Sequence, residues 1–127
     1  MSLRDQVGLR SARSTRITLV RHGKTDWNAE GRLQGQLQIP LNRRGRVQAE
    51  ALATCLRRGL APCRLHSDLL RTLQTAQAIT RHSGHKIRAD ERLREWNLGV
   101  LVGLRRAQAE HDQSYGPGFA ASIWWTS

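Results

Sequence analysis

The sequence contains little of what would place it in a specialised class of protein. Of its 127 residues only 2 are Cys and 3 are Pro, and 5% are aromatic. These counts, together with 11 Gly, exclude a disulfide scaffold and a collagen repeat. No run of apolar residues reaches five, whereas a transmembrane helix needs about 20. We therefore expect one soluble domain.

The two cysteines form no recognisable metal or redox motif. Cys55 and Cys63 lie eight residues apart, without a CxxC pair and without histidines at the spacing of metal ligands. Two reduced thiols are typical of a cytoplasmic protein. The sequence therefore predicts a cytoplasmic location and no metal site.

Acidic residues are also scarce, so the charge is unbalanced. There are 10 Asp and Glu against 21 Lys and Arg, and the formal net charge is +11. The basic residues are scattered as single residues and pairs such as Arg57-Arg58 and Arg105-Arg106, whereas a nucleic-acid footprint is more often a continuous patch. A basic nucleic-acid-binding module remains one alternative, and residues 1–15 are predicted to be a basic, mobile arm.

Strand and helix patterns alternate along residues 16–115, which we treat as one domain. Asn42 is a good N-cap for the first long helix, and Ser67 and Asp68 are both able to cap the next one. This order predicts an α/β domain with a mainly parallel sheet. The predicted strands are residues 16–21, 63–66 and 86–89, and residues 116–127 are an atypical tail. The first and third predicted helices are residues 43–58 and 104–113. The second follows Asp68, ends before Gly84 and has an apolar stripe of Leu69, Leu70, Leu73, Ala76 and Ile79.

Two of the predicted strands end in residues that suit an anion. Arg21-His22-Gly23 follows the first strand, and Arg71 lies in the first turn of the helix after the second. Ligands of open α/β sheets bind beyond the carboxyl ends of the strands, and a helix N-terminus attracts anions through its free N–H groups. We expect Arg21 and Arg71 to converge on one anion with His22 between them.

A histidine flanked by arginines is suited to phosphoryl transfer. Neighbouring cations keep the imidazole neutral and nucleophilic, and guanidinium groups bind phosphate oxygens in pairs. The imidazole can then form a covalent intermediate. Because the leaving alcohol oxygen needs a proton, a carboxylic acid is also required, and Glu95 is the best-placed candidate.

Five segments follow one another in an order that points to a known family. They are Leu-Val-Arg-His-Gly-Lys-Thr-Asp-Trp-Asn at 19–28, Arg-Leu-Gln-Gly at 32–35, Pro-Leu-Asn-Arg-Arg-Gly at 40–45, Ser-Asp-Leu-Leu-Arg-Thr at 67–72 and Arg-Leu-Arg-Glu at 92–95. Over about residues 17–112 the chain resembles the histidine phosphatase superfamily, the phosphoglycerate mutase-like proteins. The segment at 32–35 is most similar to the broad-specificity phosphatase branch.

The resemblance implies a fold, an activity and a set of roles. The fold is α/β, three-layered, with a mainly parallel sheet and helices on both faces. The activity is hydrolysis of small phosphorylated substrates, or mutase-type phosphoryl transfer, through a phosphohistidine and without a metal or organic cofactor. The implied roles are nucleophile for His22, phosphate binding for Arg21 and Arg71, proton donor and acceptor for Glu95, and contact with phosphate or substrate for Gly23, Thr25, Asn28, Gln34 and Gly35.

The chain also departs from the family pattern. Lys24, Gln38 and Val102 replace residues that are often acidic, and no histidine follows His111. The family's phosphate pocket uses a second histidine on a later strand. We therefore expect a chain truncated before that histidine, with its C-terminal part missing, impaired activity and an exposed sheet edge through which copies could associate. A catalytically inactive phosphate-binding or regulatory remnant is the second alternative.

Overall fold

The computed structural model of the chain describes residues 17–56, 64–81 and 83–111. The predicted arm at 1–15, the predicted tail at 116–127 and Cys63 lie outside these residues. The helices are α1 (Asp26–Ala29), α2 (Arg43–Leu56), α3 (Leu70–Thr80) and α4 (Arg106–Glu110), the strands are β1 (Arg64–His66) and β2 (Ile87–Ala89), and short 3-10 helices occupy Glu91–Leu93 and Gly99–Leu101.

The two strands form a parallel pair connected by α3. Arg64, Leu65 and His66 lie opposite Ile87, Arg88 and Ala89, respectively. The amide of Asp90 extends the pairing by donating to the carbonyl of His66 at 2.8 Å. Since parallel strands end at the same edge, the segments that follow β1 and β2 begin side by side. The predicted α/β architecture with parallel strands is confirmed.

The first strand, predicted at 16–21, is absent from residues 17–21, the part of it that the structure describes, so that prediction is wrong there. Residues 17–21 form neither helix nor strand, and the sheet of the described residues contains β1 and β2 alone. Leu19 is 91% exposed and Ile17 is 76% exposed. A β-branched run becomes a strand only when a neighbour accepts its backbone hydrogen bonds, and within the described ranges no such neighbour lies beside it.

Helix α2 agrees with its sequence signals. It begins after Asn42, whose Oδ1 accepts the amide of Gly45 at 2.9 Å, so the predicted N-cap is confirmed. Helix α2 packs against α3 through a small apolar cluster of Leu41, Ala49 and Ala78. Small residues at this contact allow the two helix backbones to approach closely.

Gly45 lies where two backbones nearly touch. A Cβ atom at Gly45 would overlap the backbone of Lys24, including its carbonyl oxygen, and one at Gly23 would overlap the carbonyl of Gly45. Only glycines fit here, so the first turn of α2 is pressed against the residues that follow His22.

We predict that Gly45→Ala costs about 3 kcal/mol or more of unfolding free energy, since neither backbone can yield without breaking contacts. Gly31→Ala is the control: Gly31 has a φ of 68° but nothing within 4 Å of an added Cβ. That variant meets only the left-handed penalty of about 1–2 kcal/mol. Urea unfolding of both variants checks the difference, and equal costs would contradict the steric argument.

Helix α3 begins and packs differently from the prediction. The capping role predicted for Ser67 or Asp68 is wrong, because the N-cap position is Leu69 and has no side-chain cap. Instead, Oε1 of Gln38 accepts the amide of Leu70 at 2.6 Å from a distant loop. Within α3 the buried residues are Arg71, Thr75, Ala78 and Thr80. Of the predicted apolar stripe, Leu69 at the N-cap is buried, and the other four members are half-buried.

A second apolar cluster holds the segment after α1 against the C-terminal part of the described chain. It contains Leu33, Leu98, Leu101 and Ala109. The amide of Leu33 donates to the carbonyl of Leu104 at 3.0 Å. The predicted helix at 104–113 is present in shorter form as α4. No helix within the described ranges is long and apolar enough to cross a membrane.

Candidate active site

His22 is attached to α3 through the backbone of the residue that follows it. The amide of Gly23 donates to Oγ1 of Thr75 at 3.1 Å, and this hydroxyl donates to the carbonyl of Arg71 at 2.8 Å. Thr75 is 4% exposed, so both bonds are shielded from water. The segment after the exposed residues 17–20 is therefore fixed to the helix that carries Arg71.

The imidazole of His22 is held in one tautomer. Its Nδ1 lies 2.7 Å from the carbonyl oxygen of Gly23. Because a carbonyl oxygen can only accept, Nδ1 carries the proton, and in the neutral ring the lone pair is on Nε2. This is the nitrogen that a nucleophilic histidine needs to have free.

The surroundings also keep this ring neutral. Burial lowers the pKa of His22 below its ordinary value of 6.5, and the positive charges of Arg71 and Arg21 lower it further. The bond to Gly23 and the charge of Glu95 act in the opposite direction without reversing the shift. The charges of Arg21, Arg71 and Glu95 thus all act on the pKa of His22, and the roles expected of these residues stay predictions.

Arg71 is a buried cation without an ion-pair partner among the described residues. It is 2% exposed, and its guanidinium donates to the carbonyls of Leu37 at 3.0 Å and Gly35 at 2.7 Å. Its Nε is buried without a hydrogen-bond partner. Burial lowers the pKa of Arg71, and the charge of Glu95 opposes this shift. A buried charge that only carbonyl dipoles compensate is stabilised by an anion.

The predicted substrate-contacting residues between positions 25 and 35 form a polar network in the loop beside this arginine. Oγ1 of Thr25 accepts the amide of Asn28 at 3.1 Å and donates to Oε1 of Gln34 at 2.9 Å. Thr25 and Gln34 are buried, and Gly35 has a φ of 49°. The network shapes the loop that contains Gly35, whose carbonyl accepts a hydrogen bond from the Arg71 guanidinium.

Glu95 lies in an exposed segment after β2. Its Oε1 accepts the amide of Trp96 at 2.9 Å, and its backbone carbonyl accepts Nε2 of Gln36 at 3.0 Å. Its charge acts on both His22 and Arg71. The segment that carries Glu95 is exposed, so hydrogen bonds more than packing hold it.

Sequence reasoning missed the residues that connect these groups. Nothing in the local sequence marks Thr75 as a contact of Gly23, or Gln36 and Gln38 as loop anchors. The ion pair between Asp68 and Arg94 was also missed. Each of these contacts joins residues more than 20 positions apart, so periodicity and capping rules do not reveal it.

The described residues contain no metal-binding cluster, and the charged groups around His22 do not line the cavity at the start of α2. In residues 17–56, 64–81 and 83–111, no group of three or more His, Cys, Asp or Glu side chains could hold a metal ion. A shallow cavity of about 560 Å³ opens at the start of α2 and is lined by Asp26, Asn42, Arg43, Arg44 and Val47. None of the charged groups around His22 lines it.

A half-buried histidine with a lowered pKa, influenced by two arginines on an α/β fold, is typical of enzymes that transfer phosphoryl groups. The comparison with known families agrees: the profile of the histidine phosphatase superfamily (branch 1) matches residues 17–123. The chain belongs to this superfamily, and the resemblance found in the sequence is confirmed.

The names of similar proteins indicate different activities. The glucosyl-3-phosphoglycerate phosphatase of Mycobacterium tuberculosis is 41% identical over 100 residues, covering 79% of this chain and 45% of that protein. The probable phosphoglycerate mutase GpmB of Escherichia coli is 47% identical over 85 residues, covering 67% of this chain and 40% of that protein. The chain thus spans less than half the length of these relatives.

Solved structures show the same partial coverage. The mycobacterial glucosyl-3-phosphoglycerate phosphatase in complex with VO3 superimposes with a TM-score of 0.69 at 41% identity, covering 80% of this chain and 49% of that one. A phosphoserine phosphatase from Entamoeba histolytica in complex with 3-phosphoglyceric acid gives 0.68 at 30% identity, covering 74% and 46%. The predicted fold class is confirmed by these neighbours.

Proposed function

We propose that the chain hydrolyses small phosphomonoesters in the cytoplasm through a phosphohistidine on His22. Nε2 of His22 attacks phosphorus, the bond from phosphorus to the alcohol oxygen breaks, and Glu95 gives its proton to the leaving oxygen. Water then attacks phosphorus and gives a proton back to Glu95, the P–N bond breaks, and phosphate leaves. Mutase-type transfer would differ only in that an alcohol replaces the water.

The observation that carries this proposal is the state of the His22 ring. The 2.7 Å bond from Nδ1 to the Gly23 carbonyl leaves Nε2 as the free lone pair. The lowered pKa means that the ring remains unprotonated at neutral pH. A general binding histidine needs neither property, whereas a nucleophile needs both.

The arginines supply the electrostatic part of the proposed reaction. Arg71 and Arg21 would bind the phosphate oxygens, on which negative charge is spread in the transition state. The buried position of Arg71 strengthens this effect, because little water competes for its donors. Gly23, Thr25, Asn28, Gln34 and Gly35 remain proposed contacts or supports for the phosphate and substrate.

The proposed substrate class is small and phosphorylated. The names of the relatives mention glucosyl-3-phosphoglycerate, phosphoglycerate and phosphoserine, all phosphate monoesters of small polar molecules. We propose the same class here without choosing among its members. Within the described residues, the proposed turnover depends on Arg21, Arg71 and Glu95.

Trapping the intermediate tests the proposal. The full chain is mixed with p-nitrophenyl phosphate, quenched in alkali and digested, and the peptides are mapped by mass spectrometry. We expect one phosphate on the peptide with His22, lost on brief treatment with acid, and none on the peptide with His66. His66 is a stringent internal control, because its Nδ1 also contacts the next carbonyl, that of Ser67, at 2.6 Å.

The other outcomes each identify an alternative. Turnover without phosphate on His22 would overturn the covalent mechanism. Binding of phosphate without turnover or labelling would favour the inactive phosphate-binding remnant. If the chain binds duplex DNA with an affinity that falls steeply as salt rises, and does not bind phosphate, the nucleic-acid alternative applies instead.

A further inference from the structure

One ion pair connects the segments that follow the two strands. Nε of Arg94 donates to Oδ1 of Asp68 at 2.7 Å, and its terminal nitrogen contacts Oδ2, so the pair is bidentate. Asp68 follows β1 and lies three residues before Arg71; Arg94 follows β2 and directly precedes Glu95. The pair therefore joins the arginine-bearing segment to the glutamate-bearing segment.

The other ion pairs of the described residues make different connections. Arg32 with Glu30 and Arg92 with Asp90 each join residues two positions apart, and Arg81 with Glu50 joins the end of α3 to α2. These pairs brace local turns or helices. The pair of Asp68 and Arg94 crosses between two loops at the proposed site.

A hydrogen bond supports the glutamate segment from the other side. Nε2 of Gln36 donates to the backbone carbonyl of Glu95, and the preceding residue, Gly35, offers its carbonyl to Arg71 at 2.7 Å. The segment of Glu95 is thus linked to that of Arg71 in two ways, through the ion pair of Arg94 with Asp68 and through the loop of Gln36 and Gly35. The residues around it are exposed, with Trp96 at 59%, so packing contributes little to its position.

We propose that Asp68 and Arg94 are positioning residues, which hold the Glu95 carboxylate in reach of the leaving-group oxygen. This inference rests on the proposed function, because it assigns Glu95 the role of proton donor. A proton donor acts only within hydrogen-bond distance of its target, and a bidentate pair fixes both distance and orientation. The side chain of Arg94 cannot turn away without breaking two bonds at once.

The charge state of the pair suits this task. The hydrogen bonds from Arg94 lower the pKa of Asp68, so Asp68 is a carboxylate throughout the neutral range. The same bonds raise the pKa of Arg94. The connection is therefore present throughout the neutral range.

Leaving-group dependence tests the proposal. Arg94→Gln and Asp68→Asn each break the pair, and kcat/KM is measured for p-nitrophenyl phosphate, whose leaving group needs no proton, and for propyl phosphate, whose leaving group does. We expect propyl phosphate to lose about tenfold to a hundredfold in both variants, and p-nitrophenyl phosphate much less. Arg92→Gln breaks only the local pair with Asp90 and serves as the matched control, unchanged for both substrates.

The two variants also separate position from charge. One removes a positive and the other a negative charge, so an effect of the electric field on Glu95 would have opposite signs in the two. Opposite changes, or equal losses for both substrates, would overturn the proposal. Arg94→Lys keeps the charge without the bidentate fork and is expected to restore activity only in part.

Amide exchange gives a readout that needs no turnover. The amide of Trp96 donates to the Glu95 carboxylate, and we expect it to exchange faster in Arg94→Gln and Asp68→Asn but not in Arg92→Gln. Exchange of the Ala78 amide in α3 reports whether the fold is intact. Unchanged Trp96 exchange would refute the positioning role, whereas absence of phosphohistidine in the wild type would refute the proposed function instead.

Discussion

Replacing His22 by asparagine is expected to lower kcat/KM for p-nitrophenyl phosphate by on the order of 10³-fold or more, because the nucleophile is lost. Asparagine is chosen because its amide nitrogen lies near the position of Nδ1 and can still donate to the carbonyl of Gly23. The variant therefore keeps the local hydrogen bond and removes only Nε2. Initial rates of nitrophenol release measure the loss.

His66→Asn is the matched control for this experiment. His66 is the last residue of β1. Its Nδ1 contacts the carbonyl of the next residue, Ser67, as Nδ1 of His22 contacts that of Gly23. It does not contribute to the shift in the pKa of His22. We expect hydrolysis close to that of the wild type, and an equal loss in both variants would show that the effect is structural. Retained hydrolysis in His22→Asn would remove His22 from the mechanism.

The helix and strands that depend on residues within or next to them were predictable from the sequence. Helix α2 begins at Arg43 as expected, because Asn42 caps it. Its predicted end at 58 lies outside the described residues. β1 and β2 likewise fall within predicted segments. In each case the residues that determine the element lie within it or directly beside it.

Helix α3 shows why the rest could not be predicted. Hydrophobic periodicity selects the stripe with Leu70 and Leu73, yet the buried side carries Arg71 and Thr75. Burial of Arg71 depends on the carbonyls of Leu37 and Gly35, which a loop more than 30 residues earlier supplies. A helical pattern contains no information about such acceptors, so a polar residue on a buried face looks like an exposed one.

The candidate site was predicted by chemistry more than by pattern. Phosphoryl transfer needs a neutral nucleophile, cations and an acid, which predicts His22, Arg21, Arg71 and Glu95. In the structure the charges of the other three act on the pKa of His22, and their catalytic roles stay predictions. The supporting contacts were not predicted. The pair of Asp68 and Arg94 and the bond from Gly23 to Thr75 depend on how distant segments meet, which is a property of the folded chain.

Two replacements of Arg71, one that removes its charge and one that keeps it, are expected to have the second large effect on activity. Arg71→Met is expected to lower kcat/KM by about 10²–10³-fold, because it removes phosphate donors from a buried site. It should also raise the pKa of His22, since Arg71 is the larger of the two arginine contributions that lower it. Titration of the His22 ring protons by NMR measures this shift directly, and Arg21→Met should give a smaller one.

Arg71→Lys is the counterpart that keeps the charge. Lysine cannot reach the carbonyls of Leu37 and Gly35 with a planar fork, so it leaves part of the loop unsupported. We expect the pKa of His22 to remain low in this variant, while kcat/KM falls, though less than in Arg71→Met. An unchanged pKa in Arg71→Met would contradict the electrostatic coupling. Full activity in Arg71→Lys would show that the cation alone, and not its bidentate geometry, binds the phosphate.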